Sequence, residues 1–319
     1  MQTGNETDVY AVRIKDKKIL WQSSSGGAFT AIADYFLERG SAVACCYYNS
    51  EKSRTEYKLF LSKNDIGSAR GSKYMYSFLG EIYNECIQWL IDNPDRQLLF
   101  VGTGCQTAGF CSLSETKRLR NRVFAVDLIC HGLPSPIIWD SYVQFLEKKH
   151  KGSIASVSFR DKRNGWAAPT AYAIINGEEI SLSGYTRMFY DTQAMRPACY
   201  KCPYATIDRY TDITIGDYWG IEKKIPEFYD SLGNSLLLVH TIAGKSLFSE
   251  IKDKLEYVES NSKDCWQYNL EFPTQQQAGR GQFWNDYYNR GGMYIVKKYA
   301  HPSIARKIYN KFVRMIQRI

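Results

Sequence analysis

Four cysteines occupy positions from which thiolates could bind an inorganic centre. Cys105 and Cys130 each follow an apolar run, in "LLFVGTGC" and "FAVDLIC". Cys199 and Cys202 form a C-x-x-C pair followed by Pro203. That spacing lets both sulfurs reach one centre, and two more thiolates would complete either a zinc site or a [4Fe–4S] cluster. A thioredoxin-like redox pair is a rival interpretation, but that motif normally follows the first strand of a small βαβ unit.

The chain has nine cysteines, an odd number, and no recognisable signal peptide at its N-terminus. Disulfides are therefore a poor explanation for them. The remaining cysteines lie in apolar or periodic contexts, which predicts packing roles. These are Cys45, Cys46, Cys86, Cys111 and Cys265.

Two short loops have the composition of anion-binding segments. "SSSGG", residues 23–27, comes directly before an amphipathic helix, where free backbone N–H groups and hydroxyls could receive a phosphate. An ordinary serine N-cap explains the same letters. "RGSKY", residues 70–74, could add a hydroxyl, an N–H group and a cation, but it lacks the upstream glycine of a Walker A loop.

The elements that must position these residues alternate between strand and helix. Apolar spacing predicts a helix over residues 28–39, closed by Gly40, and a strand in "SAVACCYY". Buried strands are expected at residues 98–101 and in "FAVDLIC", and Ser135 with Pro136 predicts the start of the next helix. This order predicts an α/β fold, a mainly parallel mixed sheet flanked by helices. Cys105 and Cys130 would then share the carboxyl edge of the sheet, where ligands bind.

The second half has a different character. "YAIINGEEISL" predicts a hairpin that turns at Asn176 and Gly177, and "DITIGDYWG" predicts another strand. We expect residues 1–150 to form an α/β half with the "SSGG" and "GTGCQ" loops. Residues 151–319, with the C-x-x-C and "IGDYWG" motifs, should form a less regular α+β part packed closely on it.

Other groups suggest less chemistry. His131 adjoins Cys130, but neighbours on a strand point to opposite faces, which disfavours a Cys–His dyad. Asp212 and Asp217 are as consistent with turn and edge positions as with a cofactor role. The basic amphipathic tail, residues 304–319, suits a helix docked on the protein's own core better than a peripheral membrane contact.

Composition narrows the class of protein. The apolar and aromatic fraction of 44% can support a substantial core. The net charge of +8 is spread out, so it suits an acidic partner or a phosphate-bearing ligand and not nucleic acid. No apolar run is long enough to span a bilayer, and we expect a cytoplasmic protein.

Taken in order, six stretches resemble the coenzyme F420 hydrogenase/dehydrogenase beta-subunit family. They are "SSSGGAFTAIADYFL", "RGSKY", "FVGTGCQTAG", "DLICHGLPSP", "SFRDKRNGW" and "CYKCPYA…TDITIGDYWG". Relatives include beta subunits of hydrogenase and formate dehydrogenase and the plant 7-hydroxymethyl chlorophyll a reductase, which hold FAD and a [4Fe–4S] cluster. The resemblance covers the chain from about Val9 to Phe283.

The resemblance implies one cluster and one FAD. The cluster ligands would be Cys105, Cys130, Cys199 and Cys202. The flavin-binding residues would be Ser24, Ser25, Gly26, Gly27, Gly71, Ser72, Lys73, Tyr74, Thr103 and Gln106.

This chain departs from the family pattern in two ways. Gly104 stands where many relatives have proline, and no cysteine precedes Cys45. We therefore expect a short form without the ferredoxin-like domain that opens many bacterial relatives. The expected function is an electron-transfer oxidoreductase of the beta-subunit type, which moves electrons between a ferredoxin-like partner and an organic substrate or deazaflavin-like carrier. The alternative is an accessory protein of cell-surface polysaccharide synthesis, with a structural zinc or iron–sulfur site and a glycan precursor as ligand.

Overall fold

A computed structural model describes residues 7–301. The tail predicted to be a helix, residues 304–319, lies outside this range. The strands are β1 (Asp8–Ile14), β2 (Ala42–Asn49), β3 (Arg54–Phe60), β4 (Ser77–Phe78), β5 (Leu98–Thr103), β6 (Val123–Leu128), β7 (Ile154–Asp161), β8 (Thr170–Ile175), β9 (Glu178–Ser181), β10 (Ile213–Asp217), β11 (Ser235–Val239) and β12 (Leu255–Ser260).

The helices alternate with these strands in the first half. They are α1 (Lys17–Gln22), α2 (Ala28–Glu38), α3 (Ile82–Asp92), α4 (Gly104–Thr116), α5 (Pro136–His150), α6 (Ser183–Tyr190), α7 (Ile221–Lys224), α8 (Ile242–Ile251), α9 (Arg280–Arg290) and α10 (Gly292–Tyr299). Short 3₁₀ turns lie at Ile66–Ala69, Arg120–Arg122, Pro197–Lys201, Pro226–Phe228, Lys252–Lys254 and Tyr268–Leu270.

A nine-stranded mixed sheet organises the molecule, in the order β12-β1-β11-β10-β6-β5-β2-β3-β4. The central strands β2, β5, β6 and β10 are parallel neighbours, whereas β11, β1 and β12 extend one side by antiparallel pairing. The predicted α/β class with helices on a mixed sheet is confirmed. Strands from both sides of residue 150 share this sheet, and the division into halves at that residue stays a prediction.

Apolar layers on both faces bury the central strands. Residues of α2 and α8 pack on one face, and residues of α3 and α4 pack on the other. Strands β5 and β6 are apolar on both sides, as expected of parallel strands covered by helices.

The second half adds a separate layer. β7, β8 and β9 form a three-stranded antiparallel sheet, whose β8–β9 turn carries the positive-φ residues Asn176 and Gly177. This sheet packs with α5, α6, α9 and α10 around a second apolar core. None of the helices within residues 7–301 combines the length and hydropathy needed to cross a bilayer.

Candidate functional site

A cavity of about 560 Å³ opens at the carboxyl ends of β5 and β6. We call it the main cavity; its walls are the loops of residues 23–27 and 70–74, the start of α4, and residues 130–133. Its position is the ligand-binding edge that the strand order predicts. Most of the predicted flavin residues line it: Ser24, Ser25, Gly27, Gly71, Ser72, Lys73, Tyr74, Thr103 and Gln106.

Gly26 is the predicted residue that does not line the cavity. It packs on the sheet: a Cβ there would lie 2.5 Å from the Ser235 nitrogen and closer still to the Val12 carbonyl oxygen. The next residue, Gly27, caps α2 with φ of +83°, a left-handed conformation that glycine adopts without strain. Together the two glycines let the serine loop turn between α1 and α2.

The buried Lys162 holds this serine loop in place. Its side chain is buried, and its ammonium donates to the carbonyl oxygens of Leu20 at 2.9 Å, Ser25 at 2.8 Å and Leu232. Burial lowers the pKa of Lys162 to about 8, and the positive charge of Arg160 nearby acts in the same direction. One side chain thus ties three segments together beneath the cavity.

The second loop is bonded to the first. The Ser72 backbone N–H donates to Ser24 Oγ at 2.6 Å, and the two hydroxyls lie 2.9 Å apart. Lys73 does not extend into the cavity as a free cation, because its ammonium donates to the carbonyl oxygens of Ala69 at 2.5 Å and Gly71 at 3.0 Å. In this structure, Lys73 therefore orders its own loop.

At the start of α4, Thr103 and Gln106 form a capping box. Gln106 Oε1 accepts from the Thr103 hydroxyl at 2.9 Å and from the buried Tyr57 hydroxyl at 3.0 Å, while its amide donates to the Ser77 carbonyl. These bonds hold the helix start rigidly at the cavity wall. They also place Cys105 at the exposed end of the helix.

The structure brings the four predicted cysteines into one neighbourhood. Burial raises the pKa of the Cys130 thiol to about 12, and the Cys199, Cys105 and Cys202 sulfurs act in the same direction. Backbone geometry agrees: the Gly132 N–H donates to Cys130 Sγ at 3.3 Å, and a Cβ at Gly132 would lie 3.8 Å from Cys199 Sγ. A Cβ at Gly104, which precedes Cys105, would lie 2.7 Å from the side chain of Tyr204, two residues after Cys202. The Cys199 thiol, whose pKa burial also raises, accepts from the Leu133 N–H at 3.4 Å, beside Cys130.

The four thiols do not form a preformed site for a single metal ion among the described residues. Within residues 7–301, no three histidine, cysteine or carboxylate side chains are arranged to hold one metal ion. A tetrahedral zinc ion needs sulfurs roughly 3.8 Å apart, given Zn–S bonds of about 2.3 Å. A four-iron cluster does not need that spacing, because each thiolate binds a different iron atom.

A buried ion pair anchors the C-x-x-C segment to the sheet. Arg209 Nη1 donates to Asp127 Oδ2 at 2.6 Å, and their side chains are 3% and 1% exposed. Asp127 lies on β6, which leads directly to Cys130. Burial raises the pKa of Asp127 and outweighs the opposing pull of Arg209. The pair therefore acts more as a positional constraint than as a source of stability.

The same carboxylate belongs to a longer buried network. Asp127 Oδ1 accepts from the Thr214 hydroxyl at 2.5 Å, and Thr214 Oγ1 lies 2.8 Å from His240 Nε2. Burial lowers the pKa of His240 to about 4, so its ring is neutral near pH 7. Since the Thr214 proton goes to Asp127, the ring must donate from Nε2 and accept from Thr7 at Nδ1, 3.1 Å away.

The wall of the main cavity also contains residues that sequence reasoning did not assign. The Arg160 guanidinium pairs with Asp217 and lies 5.1 Å from the Trp219 ring centre, and Trp219 stacks on the buried Trp166. Tyr190 and Trp219 are 54% and 42% exposed, so aromatic rings face the opening. For the arginine and the two tryptophans, only their presence in the quoted motifs "SFRDKRNGW" and "IGDYWG" could have indicated such a role.

His131 also lines this wall, beside Cys130. Its Nε2 is buried without a hydrogen-bond partner, and its ring contacts those of Phe189 and Tyr190. Of the cysteines predicted to pack, Cys86, Cys111 and Cys265 are buried away from the main cavity, whereas Cys45 and Cys46 line it.

Comparisons with known proteins agree with this architecture. One solved structure, from the F420-reducing [NiFe] hydrogenase complex of Methanosarcina barkeri, matches with a TM-score of 0.51 and 18% identity. The match covers 80% of this chain and 82% of that one, and at this identity it shows the fold alone. No curated protein matches the chain.

Family models give the more specific result. The model for the N-terminal part of the coenzyme F420 hydrogenase/dehydrogenase beta subunit matches residues 9–82. The model for the C-terminal part of the same beta subunit matches residues 95–264. The matched segments include all four cysteines and both cavity loops, and the chain belongs to the coenzyme F420 hydrogenase/dehydrogenase beta-subunit family of oxidoreductase subunits.

Proposed function

We propose that this chain is a flavin- and iron–sulfur-dependent electron-transfer oxidoreductase subunit. FAD would occupy the main cavity, and one [4Fe–4S] cluster would be held by Cys105, Cys130, Cys199 and Cys202. The observation that carries this proposal is the position of Cys130, which lines the main cavity and also belongs to the cysteine neighbourhood. A flavin in that cavity and a cluster on those thiols would therefore be neighbours.

The main cavity supports the flavin assignment. Its volume, about 560 Å³, lies within the usual range for cofactor and ligand sites, about 300–1,000 Å³. The hydroxyls of Ser24 and Ser72 lie in its wall next to the start of α2, which suits phosphate groups. The aromatic rings of Tyr190 and Trp219 also line it, which suits a planar ring system.

The donor set supports the cluster assignment. Four thiols drawn from two strand ends and one C-x-x-C loop match the ligands of a [4Fe–4S] cluster. Thiols bind metal as thiolates, and burial raises the pKa of both Cys130 and Cys199. Loading should therefore release protons, and binding should strengthen as the pH rises from neutral.

Each part has a distinct contribution to electron transfer. Bound FAD would exchange a hydride with an organic substrate or a deazaflavin-like carrier, and the cluster would pass single electrons to a partner. The chain's own residues would line the flavin site and position the thiols of the cluster site beside it. The net charge of +8 would steer an acidic, ferredoxin-like partner by electrostatic attraction.

Anaerobic purification tests the proposal directly. We expect a yellow-brown protein with about four iron, about four sulfide and about one FAD per chain. The variant Cys199→Ser should lose the iron and keep the flavin. Cys265→Ser, at a cysteine buried outside the site, is the matched control and should keep both.

A different outcome would favour the alternative function. A colourless protein with one tightly bound zinc ion, and no spectral change with dithionite, would contradict the redox proposal. It would favour an accessory protein with a structural metal site, as expected for a scaffold in polysaccharide synthesis.

A further inference from the structure

A smaller cavity of about 180 Å³ lies beside the main cavity. We call it the side pocket; Ser24, Arg70, Ser72, Lys73 and Arg160 line both cavities, and Tyr48 lines the side pocket alone. It therefore adjoins the main cavity at the two serine loops. None of the ligand roles expected from the sequence falls on Arg70, Arg160 or Tyr48.

The charged residues that line the side pocket are all positive. Three cationic side chains, Arg70, Lys73 and Arg160, line it together with several serine hydroxyls. No aspartate or glutamate is among its lining residues in the described part of the chain. Arg160 is neutralised by Asp217, which lines the main cavity instead, so the uncompensated charge comes from Arg70 and Lys73.

One buried donor at this pocket has no hydrogen-bond partner among the described residues. The Arg160 Nε–H is unpaired although its side chain is only 3% exposed. Leaving a buried donor unpaired costs about 1–3 kcal/mol, so such a group normally points to a missing partner. Tyr48 also lines the pocket, but a hydrogen bond with Ser53 opposes the rise that burial causes in its pKa, so its hydroxyl already has a partner. The partner that the Arg160 Nε–H lacks is an acceptor.

Two further cations, Arg70 and Lys73, add positive charge around such an acceptor. Arg70 is held by Gln22 at 2.7 Å and Thr30 at 3.2 Å, and its charge has no carboxylate partner among the described residues that line the pocket. Lys73 is bonded to backbone carbonyls, so it contributes charge to the pocket more than a direct contact. Fixed donors with positive charge are the usual features of a phosphate site.

We propose that the side pocket binds a phosphate-class oxyanion, with Arg160 and Arg70 as its principal donors. The oxyanion could come from two sources: a phosphate of the flavin, or a separate anionic substrate. The assignment to the flavin rests on the proposed function, whereas binding of inorganic phosphate to the flavin-free protein does not.

The first experiment is calorimetric titration of the flavin-free protein with inorganic phosphate and with pyrophosphate. We expect saturable binding that Arg70→Gln weakens about tenfold, the loss expected for one charge-assisted contact. Arg290→Gln is the matched control, because it removes an exposed arginine far from the pocket in sequence and at the end of α9. It should bind as the wild type does.

Arg70→Lys protects the test against misfolding. It loses the same hydrogen bonds to Gln22 and Thr30 as Arg70→Gln does, so a folding defect would affect both variants alike. Because it keeps the positive charge at the pocket, Arg70→Lys should recover part of the phosphate affinity that Arg70→Gln loses. Absence of phosphate and pyrophosphate binding in the wild type, or equal weakening by Arg70→Gln and Arg290→Gln, would overturn the proposal.

The second experiment separates the two sources. If the flavin supplies the oxyanion, Arg70→Gln should weaken FAD and FMN binding but leave riboflavin binding unchanged, and pyrophosphate should compete with FAD. If a separate ligand supplies it, the FAD-loaded protein should still bind phosphate, and the variant should bind all three flavins normally. If no flavin binds at all, the proposed function fails, while the phosphate titration still decides the site.

Discussion

Replacement of Asp127 by asparagine tests how the C-x-x-C segment is held against the sheet. The Asp127–Arg209 pair joins β6 to the loop that follows Cys202, and both side chains are almost fully buried. Asparagine keeps the shape and much of the hydrogen bonding to Thr214. It removes the negative charge and leaves the Arg209 guanidinium buried without a counter-ion.

The magnitude follows from that unpaired charge. Breaking one side of a buried ion pair typically costs about 3–5 kcal/mol, because the remaining charge has lost its water without compensation. Removing the second charge as well is usually far less costly than leaving it buried and unpaired. We therefore expect Asp127→Asn/Arg209→Met to be more stable than Asp127→Asn, because it buries no unpaired guanidinium and keeps an amide oxygen to accept from Thr214.

Urea unfolding followed by tryptophan fluorescence gives the free energies of unfolding. The control is Asp286→Asn: this buried carboxylate pairs with Lys298 at 2.5 Å, but the lysine is 41% exposed and can return to water. It should lose much less stability. After anaerobic reconstitution, iron content should fall in both Asp127 variants and stay normal in Asp286→Asn.

Two results would refute this reasoning. If Asp127→Asn lost less than about 1 kcal/mol, the pair would not behave as a buried ion pair. If the double variant unfolded like wild type and also incorporated a full complement of iron, the pair would not position the cysteines.

Three further predictions concern groups around the site. Because burial lowers the pKa of His240 from 6.5 to about 4, the unfolded state binds the extra proton first, and wild type should lose about 3 kcal/mol of stability as the pH falls from 6.5 to 4. His240→Gln should lack that loss; identical pH profiles by urea unfolding would contradict it. In the metal-free protein, iodoacetamide at pH 8 should label the exposed Cys105 well before Cys130, because burial raises the pKa of the Cys130 thiol to about 12. Peptide mass spectrometry measures both labelling rates, and equal rates would count against this prediction. Gly26→Ala should lower the free energy of unfolding by about 1–3 kcal/mol and weaken flavin binding, because its Cβ would meet the β1 and β11 backbones. Wild-type flavin affinity in this variant would disprove the tight packing.

Sequence patterns predicted the local elements because the relevant forces are local. The helix expected at residues 28–39 is observed at Ala28–Glu38, and Ser135 with Pro136 does begin α5. Apolar runs located β5 and β6, and the order of strands and helices indicated the α/β class. These features depend on periodicity, caps and turns, which a short stretch of sequence contains in full.

Residue types also indicated which loops meet. Cys105 and Cys130 follow parallel strands, so the sheet itself brings them to one edge. Whether Cys199 and Cys202 join them does not follow from spacing, because that depends on a loop pinned by Arg209 to a carboxylate distant in sequence.

Only the tertiary structure decided which polar side chains are free to bind a ligand. Lys73 looked like a cation available to a phosphate, yet it is bonded to carbonyls of its own loop. Arg160, on a strand of the second half, supplies the unpaired donor instead. Composition and spacing show that a group exists, but burial and the identity of its partners depend on segments far apart in the chain, which meet only when the sheet and its two cores have formed.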